Sequence, residues 1–316
     1  MEMVATAPAT LGPAEIGAFA ARAERLGFDT IHVSETVHDP FMVAAFAVQA
    51  TTAITVRTSM VLAFPRSPMI TAYAAWDLAR VSGGRFQLGI ASQVRGNIVG
   101  RFSTTWSEPV SRMADYIRAL RAIFHAFHTG DRLNYVGTHY TFDTLQPYFN
   151  PGPIGHPAPQ IWTGGVNKRM VAVAGEMADG YVCHPTNSHP TILRTQTLPA
   201  LAGGSPRVIA NPQPLMAATH EEIQALQDAR RSELAFLYST PAYRCQLERI
   251  GVTDLGALEQ LVPHGTYEEV PELLGQWYAG LCDGLTIAVP AGDDAALADL
   301  VRQCRVIPTL SGSGSS

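Results

Sequence analysis

The sequence SGGRFQLGIASQVRGNIVGR, residues 82–101, contains a helix end, a buried strand and a polar loop in immediate succession. Its two adjacent glycines predict the end of a helix, because glycine adopts the left-handed conformation that follows a helix. Phe86–Ala91 is a short, nearly continuous apolar run, which is typical of a strand covered on both faces. Ser92 and Gln93 then open a polar loop. Because parallel α/β folds bind ligands beyond the carboxyl ends of such strands, we expect a functional site here.

The same plan of an apolar strand followed by a helix recurs along the chain. Eight strands that alternate with helices predict a single (β/α)8 barrel, a TIM barrel, over residues 1–310. Residues 133–142 (LNYVGTHYTF) predict a β-hairpin inserted after the fourth strand, residues 221–251 are predicted to be largely helical, and residues 311–316 (SGSGSS) predict a flexible tail. The predicted strands lie within residues 3–8, 28–33, 54–64, 86–91, 160–163, 180–184, 207–217 and 285–289.

Composition excludes several classes of function. The net charge is −5 and Lys168 is the only lysine in 316 residues, so no basic surface for nucleic acid is expected. No apolar segment is long enough to cross a bilayer, and the first residues lack the basic and apolar pattern of a signal peptide. The four cysteines are widely spaced, which argues against a zinc site or a disulfide framework. We therefore expect a cytoplasmic protein with no metal, nucleic-acid or membrane partner.

The second predicted strand ends in SETVHDPF, residues 34–41. Glu35 and Thr36 are expected to point toward the barrel mouth. His38 could hold or relay a proton near neutral pH. Alternatively, Asp39 caps the next helix and His38 packs beside it. The residues alone leave both interpretations open.

Two further loops carry candidate ligand contacts. Residues 58–68 (TSMVLAFPRSP) end a strand in an apolar bulge before two prolines, and Arg66 could meet an anionic group; a rigid structural loop is the alternative. Residues 163–168 (TGGVNK) combine a glycine pair with Lys168 at a helix start, a pattern that favours phosphate. Cys183, at the end of the next strand, is expected to be a buried thiol in the wall of the same pocket.

Several segments together resemble the luciferase-like monooxygenase superfamily, and specifically its deazaflavin-dependent (coenzyme F420) oxidoreductase branch. The resemblance extends from residue 31 to about residue 201. It implies a (β/α)8 barrel with an insertion after the fourth strand and a deazaflavin across the barrel mouth, which agrees with the fold predicted above. The segments that carry it are residues 34–41, AFPRSPM at 63–69, AWDLARVSGGRFQLGIASQV at 75–94, 106–113, FNPGP at 149–153 and VAGEMADGYVCHP at 173–185.

The resemblance also implies which residues hold the cofactor. In this family a bulge with a non-proline cis peptide supports the back of the ring, the loop after strand five holds the phosphate, and strand-four residues lie along the ring edge. Thr36 and Cys183 are expected to border the same site. The implied contacts are Ser59, Met60 and Val61 in the bulge, Thr163, Gly164, Gly165 and Val166 in the phosphate loop, and Ser92 and Gln93 at the edge.

Two departures from the family pattern concern proton transfer. The Asp–His pair of better-known members falls on Glu35 and Thr36, and their glutamate after strand four falls on Gln93 or the residue after it. The usual acid–base pair is therefore missing. His38 is the nearest catalytic candidate, Glu35 competes with it, and Arg95 and Asn97 are candidate substrate contacts.

The resemblance implies hydride transfer between coenzyme F420 and an organic substrate, a small molecule or a modified peptide. Whether a C=C, C=N or C=O/alcohol group reacts stays open. The alternatives are an FMN-dependent monooxygenase of the same family and a non-catalytic flavin-binding barrel. A homodimer is a possible assembly.

Overall fold

The computed structural model describes residues 1–239, 244–245, 248–251 and 262–314. Eight strand positions close into a parallel barrel in the order β3-β2-β1-β13-β10-β9-β8-β5, and β5 pairs with β3 to complete the circle. The predicted (β/α)8 fold is confirmed. The strands are β1 (Glu2–Thr6), β2 (Thr30–Val33), β3 (Thr55–Thr58), β4 (Val61–Leu62), β5 (Phe86–Ala91), β6 (Tyr135–Val136), β7 (Thr141–Phe142), β8 (Ile161–Thr163), β9 (Gly180–Val182), β10 (Arg207–Ala210), β11 (Leu215–Ala217), β12 (His264–Thr266) and β13 (Gly284–Ala288).

Helices cover the outside of the barrel. Two of them begin with a capping side chain followed by proline. Asp39 and Ser67 accept hydrogen bonds from backbone N–H groups of the first turn. The proline after each cap has no N–H group, so its nitrogen needs no hydrogen-bond acceptor. The helices are α1 (Ile16–Arg25), α2 (Pro40–Gln49), α3 (Pro68–Val81), α4 (Pro109–Thr129), α5 (Lys168–Met177), α6 (190–201, with a π-helical middle at Leu193–Thr197), α7 (His220–Ser239), α8 (Val270–Tyr278) and α9 (Asp294–Cys304).

Two predicted strands prove to be interrupted. The third strand, predicted over 54–64, divides into β3 and β4 around a two-residue bulge, and β4 pairs with β5 alone. The seventh, predicted over 207–217, contributes only β10 to the barrel. The proline-flanked segment beyond it leads to β11, which pairs with β12 in a separate two-stranded sheet. Both interruptions lie at the carboxyl ends of barrel strands, where loops shape the mouth.

The predicted insertion is a hairpin, because β6 and β7 pair antiparallel after α4. Asp115 of α4 fastens it: its carboxylate accepts the backbone N–H groups of His139 at 2.6 Å and Tyr140 at 3.1 Å. A side chain at Gly137 would place its Cβ 2.0 Å from Asp115 Oδ1. The central glycine that suggested a turn in the sequence therefore also allows this close contact.

Charged and aromatic groups fill the amino-terminal end of the barrel interior. The fully buried guanidinium of Arg57 pairs with Glu2 at 2.9 Å, contacts His32 at 3.0 Å and lies 3.6 Å over the ring of Trp162. Burial and the neighbouring Arg57 charge hold the pKa of His32 well below its ordinary value. This end of the barrel is packed, whereas the carboxyl end opens into a cavity.

The structure describes only part of two predicted segments, the helix over residues 221–251 and the tail over residues 311–316. Within the predicted helix 221–251, α7 ends at Ser239, and residues 240–243 and 246–247 lie outside the described residues. In the predicted tail, the backbone and hydroxyl of Ser311 donate to Asp283 at 3.0 and 2.6 Å, and residues 315–316 are not described. A search of the described helices finds none long and apolar enough to cross a membrane.

Candidate functional site

A cavity of about 770 Å³ lies at the carboxyl ends of the barrel strands. This is the end at which TIM barrels carry their active sites. Nine of the residues predicted from the sequence line it: Glu35, Ser59, Met60, Ser92, Gln93, Gly164, Gly165, Val166 and Cys183.

The bulge after β3 forms one wall. The peptide between Ser59 and Met60 is cis, as the resemblance implied, and both residues line the cavity. Val61 is fully buried behind them and does not line it. Gly89 of β5 allows the bulge to approach, because a Cβ there would lie 2.0 Å from the carbonyl oxygen of Thr58.

Both carboxylate oxygens of Glu35 accept hydrogen bonds from other residues. Its buried carboxylate accepts the N–H of Leu62 at 2.8 Å, just beyond the bulge, and pairs with the Arg66 guanidinium at 2.7 Å. Arg66 also pairs with Asp39 at 2.9 Å and does not line the cavity. Burial opposes the charged form of Arg66, but the hydrogen bonds and charges of both carboxylates raise its pKa overall. The arginine predicted to meet substrate thus ties two loops together.

His38 lies outside the cavity. Its side chain is exposed and packs against Gly12, where an added Cβ would lie 2.9 Å from His38 Nε2. Asp39 caps α2 through the N–H groups of Phe41 and Met42 at 3.0 and 3.2 Å. This is the arrangement that the second interpretation of residues 34–41 predicted.

Three more predicted contacts also lie outside the cavity lining. Thr36 donates its hydroxyl to the carbonyl of Ala9 at 2.5 Å, and its own carbonyl accepts from Arg101. Arg95 is exposed, and Asn97 begins a π-helical turn, Asn97–Arg101. Thus this loop contributes Ser92 and Gln93 to the cavity rather than Arg95 and Asn97.

Gln93 has an unusual backbone for its residue type. Its φ is +60°, a left-handed conformation that side chains disfavour and that tends to occur at functional sites. Its Oε1 accepts the N–H of Val94 at 2.9 Å, which fixes the orientation of the amide. The side-chain nitrogen, a hydrogen-bond donor, is left without a protein partner in the described part of the chain.

The loop after β8 forms an adjoining wall, since only β5 separates β8 from β3 in the barrel. Side chains of the next strand and loop hold its carbonyls. Thr163 is buried and donates to Ile90, so it does not line the cavity. The hydroxyl of Tyr181 donates to the carbonyl of Gly165 at 2.6 Å. Asn187, which is also buried, donates to the carbonyls of Gly165 at 3.3 Å and Val166 at 3.1 Å.

This anchoring orients the loop amides. The peptide units here are trans, so each N–H points away from the preceding C=O. With the carbonyl of Val166 held by Asn187, the N–H of Asn167 points away from that anchor. Over the residues that the structure describes, the N–H groups of Gly164 and Gly165 have no acceptor. Asn167 caps α5 through Met170 N at 3.0 Å, and the exposed Lys168 lines the cavity beside it.

The end of β9 supplies two titratable groups to the wall. Burial raises the pKa of the Cys183 thiol well above its ordinary value, so it is a neutral thiol. Burial lowers the pKa of His184 to about 4, and its Nδ1 accepts the N–H of Thr186 at 3.3 Å. At neutral pH His184 is therefore an uncharged imidazole.

Sequence reasoning missed a group of polar lining residues from distant segments. They come from the loop after β9, from α6 and from the proline-flanked loop after β10. Only the last gave a signal, since Pro212 and Pro214 mark a rigid loop at a strand end. The missed polar residues include Asn187, Gln196, Asn211 and Gln213.

Comparisons with known proteins agree with this geometry. A family model described as luciferase-like monooxygenase matches residues 2–280. An uncharacterised protein of Mycobacterium tuberculosis is 36% identical over 261 residues, 79% of this chain and 76% of that protein. The F420-dependent glucose-6-phosphate dehydrogenase of Intrasporangium calvum is 28% identical over 209 residues, 62% of this chain and 61% of that enzyme.

Two solved structures share the fold. An F420-dependent secondary alcohol dehydrogenase in complex with an F420–acetone adduct superposes with a TM-score of 0.76 at 15% identity, over 96% of this chain and 99% of that one. The oxygenating constituent of 3,6-diketocamphane monooxygenase from Pseudomonas putida, in complex with FMN, gives 0.72 at 16% identity over 98% of both chains. The matched residues and the barrel with its bulge and glycine loop agree: the chain belongs to the luciferase-like monooxygenase family.

Proposed function

We propose that this protein is an oxidoreductase that transfers a hydride between coenzyme F420 and an organic substrate bound in the same cavity. The observation that carries the proposal is that one cavity is lined both by the bulge at Ser59 and Met60 and by the glycine loop beginning at Gly164. The bulge would support a flat ring, and the backbone N–H groups of the glycine loop would bind a phosphate. Relatives named as F420-dependent glucose-6-phosphate dehydrogenases support the choice of cofactor.

The residues present fit a phosphorylated, ring-bearing cofactor. A Cβ at Gly164 would lie 3.3 Å from Met60 Cε and 3.1 Å from the carbonyl oxygen of Val182, so a side chain there would press against the bulge and the end of β9. The N–H groups of Gly164, Gly165 and Asn167 are donors that suit phosphate oxygens, and Lys168 adds a positive charge. These residues would hold the phosphate.

The deazaflavin would supply the hydride chemistry, and the chain would supply binding and orientation. Glu35 would keep the bulge in place through Leu62, and Arg66 would hold the carboxylate of Glu35 in position. At pH 7 the buried imidazole of His184 is uncharged, so it would form part of the cavity wall and would not carry a proton. Glu35 is the one carboxylate among the residues described as lining the cavity, and it is already paired. We therefore expect the proton to come from solvent or substrate unless His38 reaches it.

Titration of the purified protein with coenzyme F420 and with FMN tests the proposal. We expect F420 to bind more tightly and, once reduced, to be reoxidised by an organic acceptor in an enzyme-dependent reaction. FMN binding at least as tight would instead favour the family's monooxygenase chemistry. Tight F420 binding without turnover on any acceptor would favour a non-catalytic flavin-binding barrel.

Lys168 offers a matched control for the same titration. Lys168→Met should weaken the affinity for F420 by about 5–10-fold and reduce its dependence on salt, because one charge–phosphate contact is lost. Lys168→Arg should keep most of the affinity. Because the chain has no other lysine, peptide mapping that separates Lys168 from the exposed N-terminal amine of Met1 can measure its protection from an amine-reactive reagent by bound cofactor, which gives a second readout.

A further inference from the structure

Three side-chain amides line the cavity besides the residues of the bulge and the glycine loop. Gln196 lies on α6, and Asn211 and Gln213 follow β10. The cofactor ring and phosphate leave these amides without a role. Their hydrogen bonds restrict what they can bind.

The oxygen of each amide is already used. Arg249 donates to Gln196 Oε1 at 2.7 Å, and Arg230 donates to Gln213 Oε1. A guanidinium has no acceptor, so these two amides must turn their oxygens toward the arginines. Their orientation follows from chemistry and does not depend on how oxygen and nitrogen were assigned.

The amide of Asn211 is oriented by a hydroxyl rather than by an arginine. The hydroxyl of Thr286 donates to its Oδ1 at 2.5 Å, and its backbone N–H donates to Ser188 Oγ at 2.8 Å. Across the described residues, the side-chain nitrogens of Gln196, Asn211 and Gln213 have no acceptor. Each therefore has two N–H hydrogens to offer a ligand.

The backbone of Gln213 adds an independent observation. Its φ is +46°, again the left-handed region that side chains disfavour. With Gln93, it is one of two glutamines in this conformation that line the cavity, at the ends of β10 and β5. Strained backbone of this kind tends to occur where a binding site fixes a side chain.

No free carboxylate among the described lining residues balances these donors. Glu35, the one carboxylate there, already accepts from Leu62 and Arg66. Apolar side chains, including Val171 and Ile192, form part of the lining, beside several hydroxyls and Asn187. A ligand with an apolar body and an acceptor-only head group, such as a carboxylate, satisfies both features, whereas a cationic or donor-bearing head group would face unpaired N–H groups.

We propose that Gln196, Asn211 and Gln213 form a subsite for the carboxylate of the organic substrate. As a statement about the substrate, this rests on the function proposed above. The glutamyl tail of the coenzyme carries the same carboxylate chemistry, so the experiment must separate the two sources.

Binding of small aromatic probes to the protein without cofactor tests the subsite directly. Benzoate and benzamide have nearly the same shape, but benzamide replaces one acceptor oxygen with a donor. We expect benzoate to bind at least five-fold more tightly than benzamide, and benzylamine more weakly than either. Equal affinity for benzoate and benzamide would overturn the proposal.

Two variants and a control locate the effect. Gln213→Glu and Gln196→Glu keep the side-chain size and the arginine contact but replace N–H donors with a charged acceptor, and each should weaken benzoate binding at least ten-fold. Gln146→Glu adds the same charge at an exposed position outside the cavity lining and should change benzoate affinity less than two-fold. Benzoate binding unchanged in both cavity variants would overturn the proposal.

A last comparison distinguishes substrate from coenzyme tail. We expect both cavity variants to bind F420 and the deazaflavin riboside, which lacks phosphate and tail, as the parent does. If they weaken F420 alone and leave benzoate unaffected, the subsite belongs to the tail and the substrate assignment is wrong. Since the benzoate measurements use no cofactor, failure of the F420 proposal would not alter them.

Discussion

The side-chain nitrogen of Asn187 lies 3.1 Å from the carbonyl oxygen of Val166. This contact connects the loop after β9 to the glycine loop after β8. Asn187 is almost fully buried, and its Oδ1 has no hydrogen-bond partner among the described residues. Its side-chain nitrogen donates to the carbonyls of Gly165 and Val166 and, at 3.4 Å, to the hydroxyl of Tyr181, and the contacts to the two carbonyls set the direction of the loop amides.

Asn187→Ala should weaken phosphate recognition more than ring binding. Losing two hydrogen bonds to loop carbonyls, each worth about 1 kcal/mol, frees the amides to turn. We expect F420 affinity to fall about ten-fold or more while affinity for the deazaflavin riboside stays within two-fold, both measured by fluorescence titration. Asn134→Ala, at an exposed asparagine, is the control. Equal losses for the two ligands would mean that Asn187 supports the cavity generally and not the phosphate loop.

Gly165 should tolerate a side chain only if Met170 makes room. A Cβ at Gly165 would lie 2.5 Å from Met170 Cγ. We expect Gly165→Val and Gly165→Ala to weaken F420 binding at least ten-fold in folded protein, and Gly165→Ala with Met170→Ala to regain much of the affinity. Met170→Ala alone is the reference for its own effect. Wild-type affinity in Gly165→Ala would show that this contact does not set the loop geometry.

Glu35→Gln should destabilise the fold by about 2–3 kcal/mol, because a largely buried ion pair with Arg66 loses one charge. His38→Ala, at an exposed side chain, should change the unfolding free energy by less than about 0.5 kcal/mol. Urea unfolding measures both. Turnover of the same variant is a separate measurement. A loss of about 100-fold in turnover for His38→Ala, at unchanged cofactor affinity, would show that this histidine transfers the proton.

Stability should fall as the pH drops from about 6.5 to about 4 through His184. Its pKa is lowered to about 4 by burial, so below its ordinary value of 6.5 the unfolded chain binds a proton that the folded protein does not. The lowered pKa corresponds to a loss of about 3 kcal/mol in the free energy of unfolding once the pH is below about 4. His184→Gln removes this titration and should flatten the dependence of the urea midpoint on pH. Parallel curves of urea midpoint against pH for the parent and the variant would contradict this role of His184. The lowered pKa of His32 affects stability in the same direction in both proteins, so it does not change the comparison.

Much of the fold could be predicted because its signals are local. Phe86–Ala91 shows its burial on both faces by its nearly continuous apolar run, and the glycine at position 137 predicted the hairpin turn. The sequence also predicted the bulge and the glycine loop as walls of one site, since carboxyl ends of parallel strands converge in any such barrel. Residues 59, 60 and 164–166 accordingly line the cavity.

Side-chain partners could not be predicted in the same way. Arg66 is 31 residues from Glu35, and only the closed barrel brings them within 2.7 Å. The same holds for Gln196, Asn211 and Gln213, which carry no motif and meet because α6 and the loop after β10 face one opening. Sequence patterns determine which elements form and which face is buried, because these depend on neighbouring residues. Which polar groups are already paired, and so which remain for a ligand, depends on contacts between distant segments, and that only the tertiary structure decides.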